Sequence, residues 1–218
     1  MAYKDDQYYL EQISSGNTNA YAMLINKHKT MAFNVALRIT RNREDAEEVI
    51  QDAFLKVYYS LKEFEGKSKF STWLYRIVYN QAISKIRKKN IAQNDLDDEI
   101  INNFTVGEIS RDLNYLASED QTRYINLALA KLPEEDSAIV TLFYLNESSV
   151  EEVSEITGLS ESNVKVKLHR SRKKLYDELK QLLKTGSAQQ VKIAWENGVD
   201  MNIKDSLCYS LRYSTQSG

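Results

Sequence analysis

Residues 145–175 read LNESSVEEVSEITGLSESNVKVKLHRSRKKL, and this stretch decides the fold class. Ser149-Val150-Glu151-Glu152 is a capping box, in which a Ser N-cap and a Glu three residues on each satisfy a backbone donor. Gly158 can adopt the left-handed conformation that ends a short helix, and Ser160 caps the helix that follows. Val150, Val153, Ile156, Leu159, Val164, Leu168 and Leu175 carry the apolar periodicity of two helices packed against a third. The second helix holds six cations in ten residues, at Lys165, Lys167, Arg170, Arg172, Lys173 and Lys174. A short helix, a glycine turn and a basic helix is the arrangement by which a recognition helix enters a DNA major groove.

The rest of the chain narrows what that helix pair can belong to. With 218 residues, one or two domains are expected. The net charge of −2 means the molecule as a whole is not drawn to DNA, so binding must come from local patches or from a partner that adds contacts. A single cysteine, Cys208, excludes an internal disulfide, and with only His28 and His169 beside it a structural zinc site is not expected. No cofactor is expected. Lys4, Asp5 and Asp6 interrupt any N-terminal apolar segment, and no run approaches the roughly 20 residues of a membrane span. The expectation is a cytoplasmic chain without direct membrane insertion. One proline and seven glycines, with helical periodicity throughout, predict an all-α fold.

Working outward, residues 5–89 read as one small helical domain. A short helix near Asp5 to Ile13 stops at Ser14-Ser15-Gly16-Asn17, and a longer one covers about 18–40. After a turn at Arg41-Asn42-Arg43, helix 44–60 places Ala46, Val49, Ile50, Ala53, Phe54 and Val57 on one face. Its other face shows Asp45, Glu48, Gln51, Asp52 and Lys56. A polar loop, Glu63 to Lys69, precedes a helix that Ser71 can cap and that runs to about Lys89. Residues 90–121 hold eight acids against one base, and read as a flexible acidic linker. Residues 122–184 form the second helical domain, with Pro133 suited to the first turn of a helix. The tail, 185–218, shows no clear periodicity. A disordered extension, an appended docking segment and an expression-derived extension all fit it.

Two further stretches carry a resemblance. DAEEVIQDAFLKVY at 45–58 and FSTWLYRIVYN at 70–80 resemble region 2 of bacterial sigma-70 factors of the extracytoplasmic-function (ECF) group. Leu132-Pro133 followed by the helix pair resembles region 4 of the same group. The likeness covers about 8–90 and 122–182, in the family's order, and does not extend to the tail.

The resemblance implies two helical DNA-binding domains that dock on core RNA polymerase and direct it to promoters, with an anti-sigma factor as the usual further partner. The polar strip Glu48, Gln51, Asp52 and Leu55 matches the helix that binds polymerase; read without the resemblance, it is a solvated acidic face, some of it compensating the helix dipole. The loop and helix after Phe64 match the part that captures a melted −10 base, which suits aromatic rings interleaved with cations. The rings are Phe64, Phe70, Trp73, Tyr75 and Tyr79. Lys67, Ser68, Lys69, Arg76 and Asn80 are assigned to DNA. Trp73 is carried as a DNA candidate although core is its favoured role, as it is for Ile77. Arg87, Lys88 and Lys89 fit either phosphate contacts or a solvated helix end.

In the recognition helix, Val164, Leu168, Ser171 and Leu175 face inward. Lys165, Val166, His169 and Arg170 match positions that meet the −35 element, where Arg and Lys can read guanine and apolar groups can meet thymine methyls. His169 fits a passive surface position equally well. Lys167, Arg172 and Lys173 suit phosphates, and Ser162 and Asn163 stand at a helix N-terminus, which favours a phosphate. The acidic linker is either a nucleic-acid mimic for a positive polymerase channel or simply a solubilising tether. The competing reading is a free-standing helix-turn-helix regulator that binds operators without polymerase; one module alone has few phosphate contacts, which disfavours it. An enzyme finds no phosphate loop, metal cluster or nucleophile arrangement to support it, and sigma factors perform no chemistry themselves.

Overall fold

The computed structural model describes residues 4–93 and 119–185, and among them every regular element is helical. The elements are α1 (Asp6–Ser14), α2 (Asn19–Thr40), α3 (Arg43–Ser60), a 3₁₀ turn (Leu61–Glu63) and α4 (Phe70–Gln93). Beyond the acidic segment come α5 (Glu119–Ala130), α6 (Glu134–Val140), a wide π-type turn (Thr141–Leu145), α7 (Val150–Thr157) and α8 (Glu161–Thr185). The linker between 94 and 118 and the tail from 186 on, with Trp195 and Cys208, lie outside the described residues. No helix among the described residues is long and apolar enough to cross a membrane. The chain divides into two compact units: α1–α4 fall in the first, together with residues 151–159, and α5, α6, the wide turn and α8 fall in the second.

The first unit is built on the small faces of its long helices. Ala32 and Ala36 of α2, Ala46 and Ala53 of α3 and Ala82 of α4 are fully buried. Where Cβ is the whole side chain, helices approach closely and larger neighbours fill the remaining space. Here those neighbours are Leu24, Val35 and Ile39, with Val57, Leu74 and Val78. The turn between α2 and α3 is sharper than its sequence suggests. Arg41 takes a left-handed conformation (φ 52°) as its N–H caps α2 by donating to the Leu37 carbonyl. Asn42 then caps α3, its Oδ1 accepting the Asp45 N–H at 2.8 Å. α4 differs from expectation at both ends. It begins at Phe70, with the Lys69 carbonyl accepting the Trp73 N–H at 3.1 Å, so Ser71 lies inside the first turn rather than capping it. The burial of Phe70 accounts for the earlier start, because its ring must be on the helix to reach the core.

In the second unit α5 and α6 pack against α8. Ala128, Leu129 and Leu132, with Ala138, Ile139 and Leu142, are buried, as are Val164, Leu168 and Leu175 of α8. Pro133 stands immediately before the first turn of α6 and its carbonyl accepts the Ser137 N–H. The helix read through Leu145 instead widens after Val140. Asn146 N–H bonds back five residues to the Thr141 carbonyl at 3.3 Å, which closes the wide turn.

Candidate nucleic-acid interface

The connection from α7 to α8 forms as the residue types require. The Gly158 N–H closes α7 on the Ser154 carbonyl at 2.8 Å, with Gly158 at φ +75°, a conformation that costs a side-chain-bearing residue more. Ser154 Oγ donates to the Leu159 carbonyl at 2.6 Å and steadies the turn. Ser160 then caps α8: its Oγ accepts the Asn163 N–H at 3.3 Å and its carbonyl the Val164 N–H at 3.0 Å. On α7, Val153 and Ile156 are buried while Val150 and Leu159 are half-buried.

Two faces of α8 separate cleanly. Val164, Leu168, Ser171 and Leu175 are all buried. Ser162, Asn163, Lys165, Val166, His169, Arg170, Arg172 and Lys173 are exposed. Val166 is an apolar side chain 44% exposed in the middle of this polar face. Lys165 sits 3.5 Å from Glu161 one turn earlier, a contact that a surface lysine gives up readily. Lys167 is different. It is half-buried and its Nζ lies 2.7 Å from Asp136 Oδ1 and 3.5 Å from Glu135 Oε2, on α6. Burial opposes its charge, but the hydrogen bond and field of Asp136, aided by Glu135, outweigh it and raise the ammonium above the ordinary lysine value.

In the first unit the aromatic stretch splits between core and surface. Phe70, Tyr75 and Tyr79 are buried, so three of the five rings read as a stacking series are core. Helical spacing dictates this, because positions 70, 74, 75, 78, 79 and 82 share the face of α4 that packs on α2 and α3. Phe64 and Trp73 are half-buried, with ring centroids 5.1 Å apart, and both lean on Phe70, at 5.9 and 6.0 Å. Ile77 is half-buried, between the core and surface roles. Lys67, Lys69, Arg76 and Asn80 are exposed and Ser68 is half-buried; Lys67 pairs with Glu65 within the loop.

Behind Phe70 lies a polar cluster that sequence periodicity could not signal. His28 is buried; its Nδ1 is 3.2 Å from the Tyr75 hydroxyl, and its Nε2 is 3.0 Å from both carboxylate oxygens of Asp6. Lys27 adds a bond to Asp6 at 2.7 Å. This joins α1, α2 and α4, and the His28 ring also lies 5.7 Å from Phe70. Burial acts to raise the Asp6 carboxyl, but the bonds from His28 and Lys27 outweigh it and hold it below the ordinary aspartate value. Burial, helped by the Asp6 charge, raises the Tyr75 phenol well above its usual range.

The polar strip of α3 is accessible. Glu48, Gln51, Asp52 and Leu55 are all exposed, Leu55 by 57%, and the next turn adds Tyr58 and Tyr59. Between α3 and α4 runs a groove of about 580 Å³ whose walls include Glu48 and Asp52 on one side and Asn80, Lys85, Lys88 and Lys89 on the other. Lys85 Nζ is 2.6 Å from Glu48 and 3.4 Å from Asp45, and Lys89 is 3.0 Å from Asp45. Lys85 was no candidate from sequence; only the apposition of the helices brings it to Glu48. Among the described residues, no group of three or more His, Cys, Asp or Glu is placed to hold a metal ion.

The chain is similar to known proteins in sequence and in fold. The model of sigma-70 region 2 matches residues 24–91, and that of sigma-70 region 4 matches residues 122–175. The ECF RNA polymerase sigma factor SigW of Bacillus subtilis is 29% identical over 180 residues, covering 79% of this chain and 96% of that protein. The ECF RNA polymerase sigma-E factor of Haemophilus influenzae is 28% identical over 184 residues, covering 82% and 97%. Among solved structures, CnrH in complex with the cytosolic domain of CnrY has a similar fold, with a TM-score of 0.58 at 22% identity over 82% of this chain and 99% of that one. The sigma factor RpoE, in complex with the anti-sigma factor NepR from Bartonella quintana, gives a TM-score of 0.57 at 21% identity over 71% and 95%.

Proposed function

The chain belongs to the sigma-70 family, in its ECF group, whose members give RNA polymerase its promoter specificity; on that premise we propose how its surfaces divide the work. The exposed face of α8 reads the −35 element: Lys165, Val166, His169 and Arg170 meet base edges, and Arg172 and Lys173, with Ser162 and Asn163 at the helix start, hold phosphates. Lys167 braces α8 on α6. The loop and first turns of α4 take the opened −10 strand. Phe64 and Trp73 offer the accessible ring surface, Lys67, Ser68, Lys69 and Arg76 line the backbone path, and Asn80 reads a displaced base. Glu48, Gln51, Asp52 and Leu55 dock core polymerase. Domains 5–89 and 122–184, joined by the acidic segment 90–121, are the units of this division.

The observation that carries the reading is the segregation of α8 into a buried apolar stripe and an exposed cationic face. Such a face has enough donors to position and read one half-site, and too few for tight binding alone by a chain of net charge −2. Polymerase supplies the remaining contacts. The free operator-binding reading gives way, since it leaves residues 24–91, matched by region 2, without a role. The protein acts by binding, with no chemistry of its own, in the cytoplasm where polymerase works. An anti-sigma factor covering the α3 strip is its natural antagonist. Transcription in vitro on genomic DNA, with core polymerase and mapping of start sites, tests the proposal. Initiation at a defined promoter set is expected; strong sequence-specific duplex binding by the chain alone, without initiation, would overturn it.

A further inference from the structure

We propose that Lys85 is a phosphate-binding residue held in reserve by Glu48, so that polymerase docking on Glu48 releases it to the promoter strand. This rests on the docking role proposed for the α3 strip. Glu48 is the outer partner, with its side chain 64% exposed, whereas Lys85 is 24% exposed in the wall of the groove. A polymerase cation therefore reaches the carboxylate from solvent without displacing the lysine first. Once Glu48 turns to that cation, Lys85 keeps only Asp45, at 3.4 Å, and Asp45 already holds Lys89 at 3.0 Å. Its ammonium, with three donors and one distant, shared protein acceptor, can then take a further acceptor. A strand passing Asn80, which lines the same groove, would bring phosphates within its reach.

The hydrogen bond to Glu48 raises the Lys85 ammonium above the ordinary lysine value, against the opposing effect of burial and with help from the Glu48 and Asp45 charges. The side chain is thus charged in either partnership, and the switch is an exchange of partners rather than a titration. The energetics have a definite sign. Either ligand must break the Lys85–Glu48 pair; whichever binds first does so, and the second binds without that cost. The two sites are therefore positively coupled, and the coupling is reciprocal. Pairs at this degree of exposure set its size at about twofold to fivefold in affinity.

Fluorescein-labelled oligodeoxythymidylate, titrated by anisotropy with the full chain, with core polymerase and with both together, tests the idea. For the wild type, the assembly should bind the oligonucleotide more tightly than the chain and core account for separately. Glu48→Gln should make the free chain bind about twofold to fivefold tighter than wild type, because Lys85 is already released. Lys85→Gln should remove a similar factor from the assembly, and Lys85→Arg should restore it, which a purely structural role would not require. An unchanged oligonucleotide affinity in the Lys85→Gln assembly, or in free Glu48→Gln, overturns the proposal while leaving docking intact. Failure of the unlabelled wild-type chain to co-elute with core polymerase in gel filtration overturns the docking role, and this inference with it.

Discussion

Lys167 Nζ lies 2.7 Å from Asp136 Oδ1, so a cation in the middle of the recognition helix is committed to a neighbouring helix. The bond joins α8 to α6 within the second unit. Lys167→Met should cost about 1 kcal/mol of stability and weaken DNA binding only through that loss. The raised ammonium gives the effect a pH signature. Its stabilisation is fully present below the unfolded lysine value, near ~10.4, and is lost as pH rises through the higher folded value. Thermal melts across the alkaline range should therefore converge for wild type and variant.

Asp6 carries the opposite signature. Its depressed carboxyl stabilises the fold above the ordinary aspartate value, near ~4, and that contribution is lost as pH falls through the lower folded value. Asp6→Asn should flatten the acid limb of the melting curve and cost about 1–3 kcal/mol at neutral pH, as expected for hydrogen bonds to a charged group. Melting temperature against pH for the two proteins measures both effects.

The two faces of α8 should separate stability from recognition. Leu168→Ala should cost about 2–5 kcal/mol in unfolding free energy by leaving a cavity. Arg170→Ala, on the exposed face, should leave the melting temperature unchanged and weaken promoter binding by the polymerase assembly by about 1–3 kcal/mol. Unchanged promoter affinity in Arg170→Ala would remove that residue from the interface.

Asp52→Arg places a cation on the exposed strip of α3 without touching the core. Affinity for core polymerase should fall while helicity and melting temperature stay as in the wild type. Co-purification with polymerase at wild-type yield would show that this strip is not the dock.

Asn80→Ala should impair opening of the promoter more than initial binding. Permanganate reactivity of the bubble, set beside gel-shift affinity of the closed complex, separates the two steps. An equal loss in both would make Asn80 a general contact rather than a reader of the opened strand.

What was legible in the sequence was local. Gly158 and Ser160 mark a helix end and a helix start because backbone conformation and capping depend on residues a few positions apart. The buried stripe Val164, Leu168, Ser171 and Leu175 follows from helical period alone. The order of motifs at 45–58, 70–80 and 145–175 was sufficient to identify the family. Tertiary structure decided how polar groups pair across helices. Tyr75 and Tyr79 alternate with cations in the sequence like a stacking surface, yet the face of α4 that meets α2 buries them. Lys167 looked like any other cation of its helix until α6 brought Asp136 against it. Asp6, His28 and Tyr75 meet from three helices, and Lys85 meets Glu48 from two, over separations at which no periodicity operates. A repeat records which face of one helix turns inward; which charge that face then meets is set only when a second helix packs against it.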